Sequence, residues 1–248
     1  MIETRNLHHR YPDGTHALKG IDLAIPGGEF LLLCGPNGSG KTTLLRLLGG
    51  LLKPTSGQLL FGGEEGRSGP GEPRRLVGMV FQEADSQIIG ETVREDVAFG
   101  PENLGLSPEE TARRVDEALR AFNLEPLADR PCQLLSGGEK RRLAIAGVLA
   151  MKPGAILLDE PFTHLDYAGV REVLRHLIRL HREGHTLVMT THDVEKVIGH
   201  ADRIAVLESG ELRACGAPEK IVGLLSRFGI RPPCYALSEE ERRSWLNG

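Results

Sequence analysis

The sequence predicts an α/β fold: a parallel-sheet core carrying a helical sub-domain. Three observations point there. Short, wholly apolar runs alternate with segments of helical periodicity, the pattern of strand and helix in turn. One of those runs, Phe30 to Cys34, leads directly into a Gly-rich loop and then a helix-forming stretch. A helix-rich insert near residues 90–150 interrupts the alternation.

The elements follow in order. Leu18, Ile21, Leu23 and Ile25 suit a partly buried strand that ends at Pro26-Gly27-Gly28. Phe30 to Cys34 is continuous and apolar, as a buried parallel strand requires. Leu44, Leu45, Leu47 and Leu48 fit a buried helix after the Gly-rich loop. Residues 62–73, rich in Gly and Pro, read as a surface loop, and Leu76 to Phe81 as the next strand. Ser107-Pro108-Glu109-Glu110 starts a helix, with Ser at the cap, Pro at the first helical position and Glu at the third. Ala112, Val115, Ala118, Leu119 and Phe122 continue it at helical spacing. Ser136 opens another helix, to about Met151. Ala155 to Leu158 is a strand, and Val170, Val173, Leu174, Leu177 and Ile178 mark a helix face. Thr186 to Thr190 and Arg203 to Leu207 are strands, with a turn at Ser209-Gly210. Ser238-Glu239-Glu240-Glu241 caps a short final helix.

Composition narrows the class. The chain has 248 residues, 40 % hydrophobic and 26 % charged, enough for one large α/β domain or a core with one sub-domain. Its formal net charge of −4 argues against a general nucleic-acid binder. No apolar run approaches a membrane span, and Met1 to Arg5 lacks the basic-then-apolar pattern of a signal peptide. Cys34, Cys132, Cys215 and Cys234 are far apart with no Cys-x-x-Cys, as expected of reduced thiols in a cytosolic protein.

Three motifs carry chemistry. Gly35-Pro36-Asn37-Gly38-Ser39-Gly40-Lys41-Thr42 fits the phosphate-binding P-loop. Its glycines let main-chain N–H groups turn toward one anion, Lys41 brings a point charge for the β- and γ-phosphates, and Thr42 offers a hydroxyl to Mg²⁺. Ala155-Ile156-Leu157-Leu158-Asp159-Glu160 is an apolar strand ending in two acids. Asp159 can hold Mg²⁺ there, and Glu160 can polarise an attacking water as general base. Between the two, Ser136, Gly137 and Gly138 sit at a helix start, a second anion-binding geometry in the same chain.

In this order the motifs resemble the ATP-binding-cassette superfamily of ATPases, over about residues 2–225. The resemblance implies a P-loop nucleotide-hydrolase core with an antiparallel β edge sub-domain and a helical sub-domain. It places a cassette domain at residues 1–229 (core about 1–82 and 153–229, helical sub-domain about 83–152) and a short extension at 230–248. Tyr11 is similar to the aromatic that stacks on adenine. Gly35 to Thr43 resembles the Walker A loop, and Gln82 the Q-loop glutamine that touches Mg²⁺ and water. Leu135 to Glu139 is similar to the signature sequence. Asp159 and Glu160 match the Walker B acid and catalytic glutamate, Leu165-Asp166 the D-loop, and His192 the switch histidine near the γ-phosphate. Glu139, Phe162 and His164 depart from the commonest residues without replacing a catalytic group. The resemblance also implies a head-to-tail pair, with each ATP held between Walker A of one cassette and the signature of the other. A homodimer is expected, with a related paralogue as the alternative partner.

Gln82 to Ile89, followed by Thr92 to Gly105, is similar to the ATPases of energy-coupling-factor importers, including the second glutamine, Gln87. Glu83-Ala84 stands where that family often has Asn-Pro. This resemblance implies a peripheral subunit on the cytoplasmic membrane face, working with a transmembrane coupling subunit and a membrane substrate-binding subunit. The cargo would be a metal ion, cobalt or nickel favoured, or a vitamin. Another importer or exporter, or a soluble non-transport cassette, stays open. Ile88, Ile89, Val93, Val97 and Phe99 are numerous for a solvated loop and suit a docking groove, with Val97 and Phe99 expected to pack the sub-domain core. His176, His181 and His185 read as a solvated helix edge, because Gly184 breaks the helical alignment a metal site would need. His8, His9 and His16 carry no ligand spacing.

Overall fold

The computed structural model describes residues 1–62, 64–65 and 77–234. The chain divides into two compact units, Met1–Pro73 with Thr186–Gly248, and Arg74–His185.

In the first unit the five residues of β3 (Phe30–Cys34) are all buried. Parallel partners flank it: β8 (Thr186–Thr190), with Phe30 opposite Leu187, and β9 (Arg203–Glu208), with Leu31 opposite Arg203. A two-residue turn, Ser209 (φ 52°) and Gly210 (φ 83°), then sends β10 (Glu211–Gly216) back antiparallel to β9. Positive φ at both turn positions matches the twist of a tight hairpin. The Gly-rich loop follows β3 and opens helix α1 (Lys41–Leu48), whose leucines 44, 45, 47 and 48 are fully buried. A separate antiparallel sheet has the order β2-β1-β4-β5, from β1 (Ile2–Arg10), β2 (His16–Ile25), β4 (Ser56–Phe61) and β5 (Glu64–Glu65). This is the expected antiparallel sub-domain. Leu18, Ile21, Leu23 and Ile25 of β2 are its buried residues, as the alternation required.

In the second unit β6 (Val77–Val80) pairs in parallel with β7 (Ala155–Asp159). Four helices accompany them: α2 (Val93–Asn103), α3 (Pro108–Ala121), α4 (Gly137–Ala150) and α5 (Tyr167–Arg182). Their starts obey capping chemistry. Thr92 and Ser136 form reciprocal capping boxes with Glu95 and Glu139, Ser107 accepts from the Glu110 N–H, and Asp166 accepts from the Gly169 N–H. Helix α4 is the hub, packed by α2, α3 and α5, and it is buried on nearly every face. Gly78 lets β6 lie against it: an added Cβ would stand 2.3 Å from Val148 Cγ1.

Helix α5 ends at Arg182, and Gly184 (φ 91°) turns the chain as expected. One histidine departs from expectation. His176 is 7 % exposed and its ring lies 4.7 Å from that of Phe122, so it is core and not a solvated edge. It falls on the Val170–Val173–Leu177–Leu180 stripe of α5, where helical geometry buries it. Burial pushes its pKa down, with Arg179 acting in the same sense. The expected helix at Ser238 lies outside the described residues, as do Leu76 and most of the loop at 62–73. Among the described residues no helix is long and apolar enough to cross a membrane.

Candidate functional site

The first unit holds Tyr11, the P-loop and His192. The loop is shaped by glycines that no other residue could replace without movement. At Gly35 (φ 152°) an added Cβ would stand 2.2 Å from the Leu207 carbonyl oxygen and 2.6 Å from Ser39 Oγ. At Gly40 (φ 104°), the cap residue of α1, it would stand 2.8 Å from the Ala17 oxygen. Ser39 is 2 % exposed, and its Oγ has no hydrogen-bond partner among the described residues. A buried hydroxyl left in that condition costs stability unless a ligand satisfies it. Lys41 is also buried, and its ammonium donates to the carbonyls of Gly35 (2.7 Å) and Pro36 (3.0 Å), which folds it over the loop. No side chain caps α1 and no acid occupies its first turn. A buried hydroxyl, a lysine and an uncapped helix start fit a phosphate.

The Tyr11 hydroxyl meets Thr43 Oγ1 at 3.0 Å, which sets its ring beside the first turn of α1. His192 is exposed on the turn after β8. Buried Thr191 makes that turn by accepting the Asp193 N–H at 3.1 Å. The shape of the loop yields a first expected result. Gly35→Ala should destabilise the fold by about 2–4 kcal/mol, because the Cβ meets the Leu207 backbone on one side and the Ser39 hydroxyl on the other, and the φ is strained. A urea midpoint equal to wild type would contradict it.

The second unit holds Gln82, Ser136, Gly137, Gly138, Asp159, Glu160 and Asp166. Strand β7 delivers Asp159, 4 % exposed, at its end. Glu160 follows with φ 46°, a left-handed backbone that non-glycine residues rarely adopt and that aims the side chain off the strand line. His164 (φ 61°) bends the chain again before Asp166. Ser136 and Gly137 are exposed at the start of α4. The Glu139 carboxylate accepts the Ser136 N–H at 2.7 Å, which lowers its pKa and closes the cap. This accounts physically for an acid at that position. Gly137 lies close to the D-loop: an added Cβ would stand 3.6 Å from the His164 oxygen.

Gln82 is exposed just past β6. The preceding Phe81 N–H donates to Gln87 Oε1 (3.0 Å), while Gln87 Nε2 donates to the Met79 carbonyl (3.1 Å). From α4, Arg141 donates to the Phe81 carbonyl (2.6 Å) and to the Gln82 carbonyl (2.5 Å). Sequence reasoning missed Arg141, since a basic pair on a helix reads as solvated surface. The available signal was its place just ahead of the apolar stretch Leu143 to Ala150 in a helix buried on nearly every face.

Beyond Gln87, Ile89 is 64 % and Phe99 45 % exposed, whereas Val93 and Val97 are fully buried. Phe99 therefore does not pack the core as expected. Val93 and Val97 are four apart and share the inner face of α2, and Phe99, two residues further, falls on the other side.

The ABC transporter family model matches residues 18–163. The chain is 45 % identical to the energy-coupling factor transporter ATP-binding protein EcfA of Methanocaldococcus jannaschii, over 95 % of this chain and 87 % of that one. It is 48 % identical to the cobalt import ATP-binding protein CbiO of Rhodobacter capsulatus, over 94 % and 85 %. Among solved structures it is similar to the ATP-binding cassette MJ0796, a dimer in a post-hydrolysis state bound to ADP and Pi. There the TM-score is 0.78 at 33 % identity, covering 88 % of this chain and 99 % of that one.

Proposed function

Since the chain belongs to the ABC transporter family of ATPases, we propose that it is the ATP-hydrolysing subunit of an energy-coupling-factor importer. The observation that carries this reading is the exposed Ile89 and Phe99 on the segment that begins at Gln82. Apolar side chains left in solvent beside a nucleotide-sensing residue suit a groove for a helix of a membrane partner. The names of the similar proteins, an energy-coupling factor subunit and a cobalt import subunit, support it. The chain then works at the cytoplasmic membrane face, and its cargo is a metal ion, cobalt or nickel favoured, or a vitamin.

The residues take these roles. Tyr11 stacks on adenine. The main-chain N–H groups from Gly35 to Thr43, with Ser39 and Lys41, grip the phosphates. Thr42, Gln82 and Asp159 would hold Mg²⁺, which would supply charge neutralisation at the β- and γ-phosphates. Glu160 takes the proton of the attacking water, and His192 donates toward the γ-phosphate. Ser136, Gly137 and Gly138 present the α4 N-terminus to the nucleotide of a second cassette, and Asp166 lines the same joint. The dimeric relative bound to ADP and Pi supports the pairing.

Co-purification from native membranes tests the function. A transmembrane coupling subunit and a small substrate-binding membrane protein should be recovered with the chain. Ribosomes or DNA without membrane protein would overturn the reading. Phe99→Asp combined with Ile89→Asp should release the membrane partners while ATP binding stays unchanged, since both side chains are solvent-facing. Full retention of the partners by that variant would remove the docking surface from the proposal.

A further inference from the structure

The ladder of β6 ends at Val80, and the chain bearing Gln82 continues beyond it. Two side chains hold that continuation: Gln87 takes the Phe81 N–H, and Arg141 takes the carbonyls of both Phe81 and Gln82. Arg141 is 3 % exposed, and its Nε has no partner among the described residues. Burial pulls its pKa down, opposed by the charge of Glu83. A buried guanidinium held by main-chain carbonyls is an expensive way to fill a core, and an apolar residue of similar volume would commonly be as stable or more so. The neighbouring Lys140–Asp85 pair (2.5 Å) cannot substitute for it, because Asp85 is 74 % exposed and such pairs contribute little.

Arg141 lies five residues along α4 from Ser136, about 7.5 Å on a continuous helix. A displacement of the α4 N-terminus would therefore reach the Phe81 and Gln82 backbone through two short hydrogen bonds. We propose that Arg141 is a positioning residue that ties Gln82 to the signature helix, so that the nucleotide gripped by Ser136 in one site is sensed at Gln82 in the other. This rests on the shared-site reading above. Occupancy of the partner's P-loop then sets the position of Gln82 in this subunit's own site, and the two hydrolysis sites respond jointly.

The test is steady-state ATPase activity of the assembled complex against ATP concentration, for Arg141→Met, Gln82→Ala and the double variant. With two coupled sites the wild-type Hill coefficient exceeds 1. In Arg141→Met it should fall to about 1, and kcat should fall about tenfold through lost positioning. ATP binding by the isolated chain should stay within about twofold, because Arg141 makes no contact with the phosphate loop in this scheme. The double variant should be no slower than Gln82→Ala alone, because both changes act through one residue. A wild-type Hill coefficient in Arg141→Met, or losses that multiply in the double variant, would overturn the inference. Should Arg141→Met not fold, Arg141→Lys carries the same test: it keeps the charge but loses the fork, and should lower the Hill coefficient while restoring part of kcat. If a Glu160→Gln chain forms no ATP-dependent pair, the shared-site reading has failed. If it pairs while Arg141→Met behaves as wild type, only the role of Arg141 has failed.

Discussion

In a Glu160→Gln variant, ATP turnover falls by about 10²- to 10⁴-fold, and the chain accumulates as an ATP-bound pair. The substitution keeps the size of the side chain and its capacity to hold a water, and removes its capacity to take a proton. The surrounding geometry does not depend on the charge: strand β7 is buried along its whole length, and the left-handed backbone at residue 160 belongs to the turn. The P-loop and the α4 start are untouched, so binding survives and only the step that reopens the pair is lost. Light scattering with ATP and Mg²⁺ should report a dimer, reverting to monomer when nucleotide is withdrawn. A monomer under ATP saturation would mean that Ser136 to Gly138 do not complete a neighbour's site.

The parts of the fold that were legible share a simple cause. Where burial is total, as in β3 and in Ala155 to Leu158 of β7, the residues are apolar, and a run of four or five announces the strand. Where a helix begins in solvent, its cap residues are dictated by unsatisfied N–H groups, so Ser107 and Ser136 mark α3 and α4 to the residue. Strand β1 had no such signature. Its buried positions include the polar Thr4 and His9, and a register shift between Thr4 and Leu7, with Asn6 at φ 45°, breaks the alternation midway. Thr4 is tolerated because its hydroxyl donates to the Ile21 carbonyl and accepts from the Leu23 N–H, bonds that exist only once β2 is in place. Strand β4 hides in the same way, with only Leu60 and Phe61 buried.

The site divides along a similar line. Residues proposed to meet phosphate or metal carry their chemistry in their type and spacing, so the P-loop and the two acids were readable. Residues that act through the main chain of another residue were not. Arg141 recognises carbonyls, which every residue possesses, so nothing in the sequence around Gln82 announces it. His176 and Phe99 exchanged their expected places for a related reason: the packing partners of α5 and α2 decide which face is inner, and hydrophobicity alone does not.

Lys41→Ala should weaken ATP binding by about 2 to 3 kcal/mol, a roughly 30- to 160-fold rise in Kd. The lysine is buried in the loop and positioned by the carbonyls of Gly35 and Pro36, so its ammonium arrives already oriented and little ordering is required when phosphate binds. Stability responds in two opposing senses. The variant loses two hydrogen bonds and also removes a desolvated cation, so the melting temperature should move little. Arginine should not rescue it. The guanidinium is a broad planar fork and does not reproduce the compact ammonium that donates to the carbonyls of Gly35 and Pro36. AMP is the control ligand: it lacks the β- and γ-phosphates, so its affinity depends on the adenine side, where Tyr11 stands against Thr43, and should be unchanged. Calorimetry with ATP and AMP on the same preparation separates the outcomes. Equal losses for both ligands would mean that the loop has collapsed, and no loss for ATP would remove Lys41 from phosphate recognition.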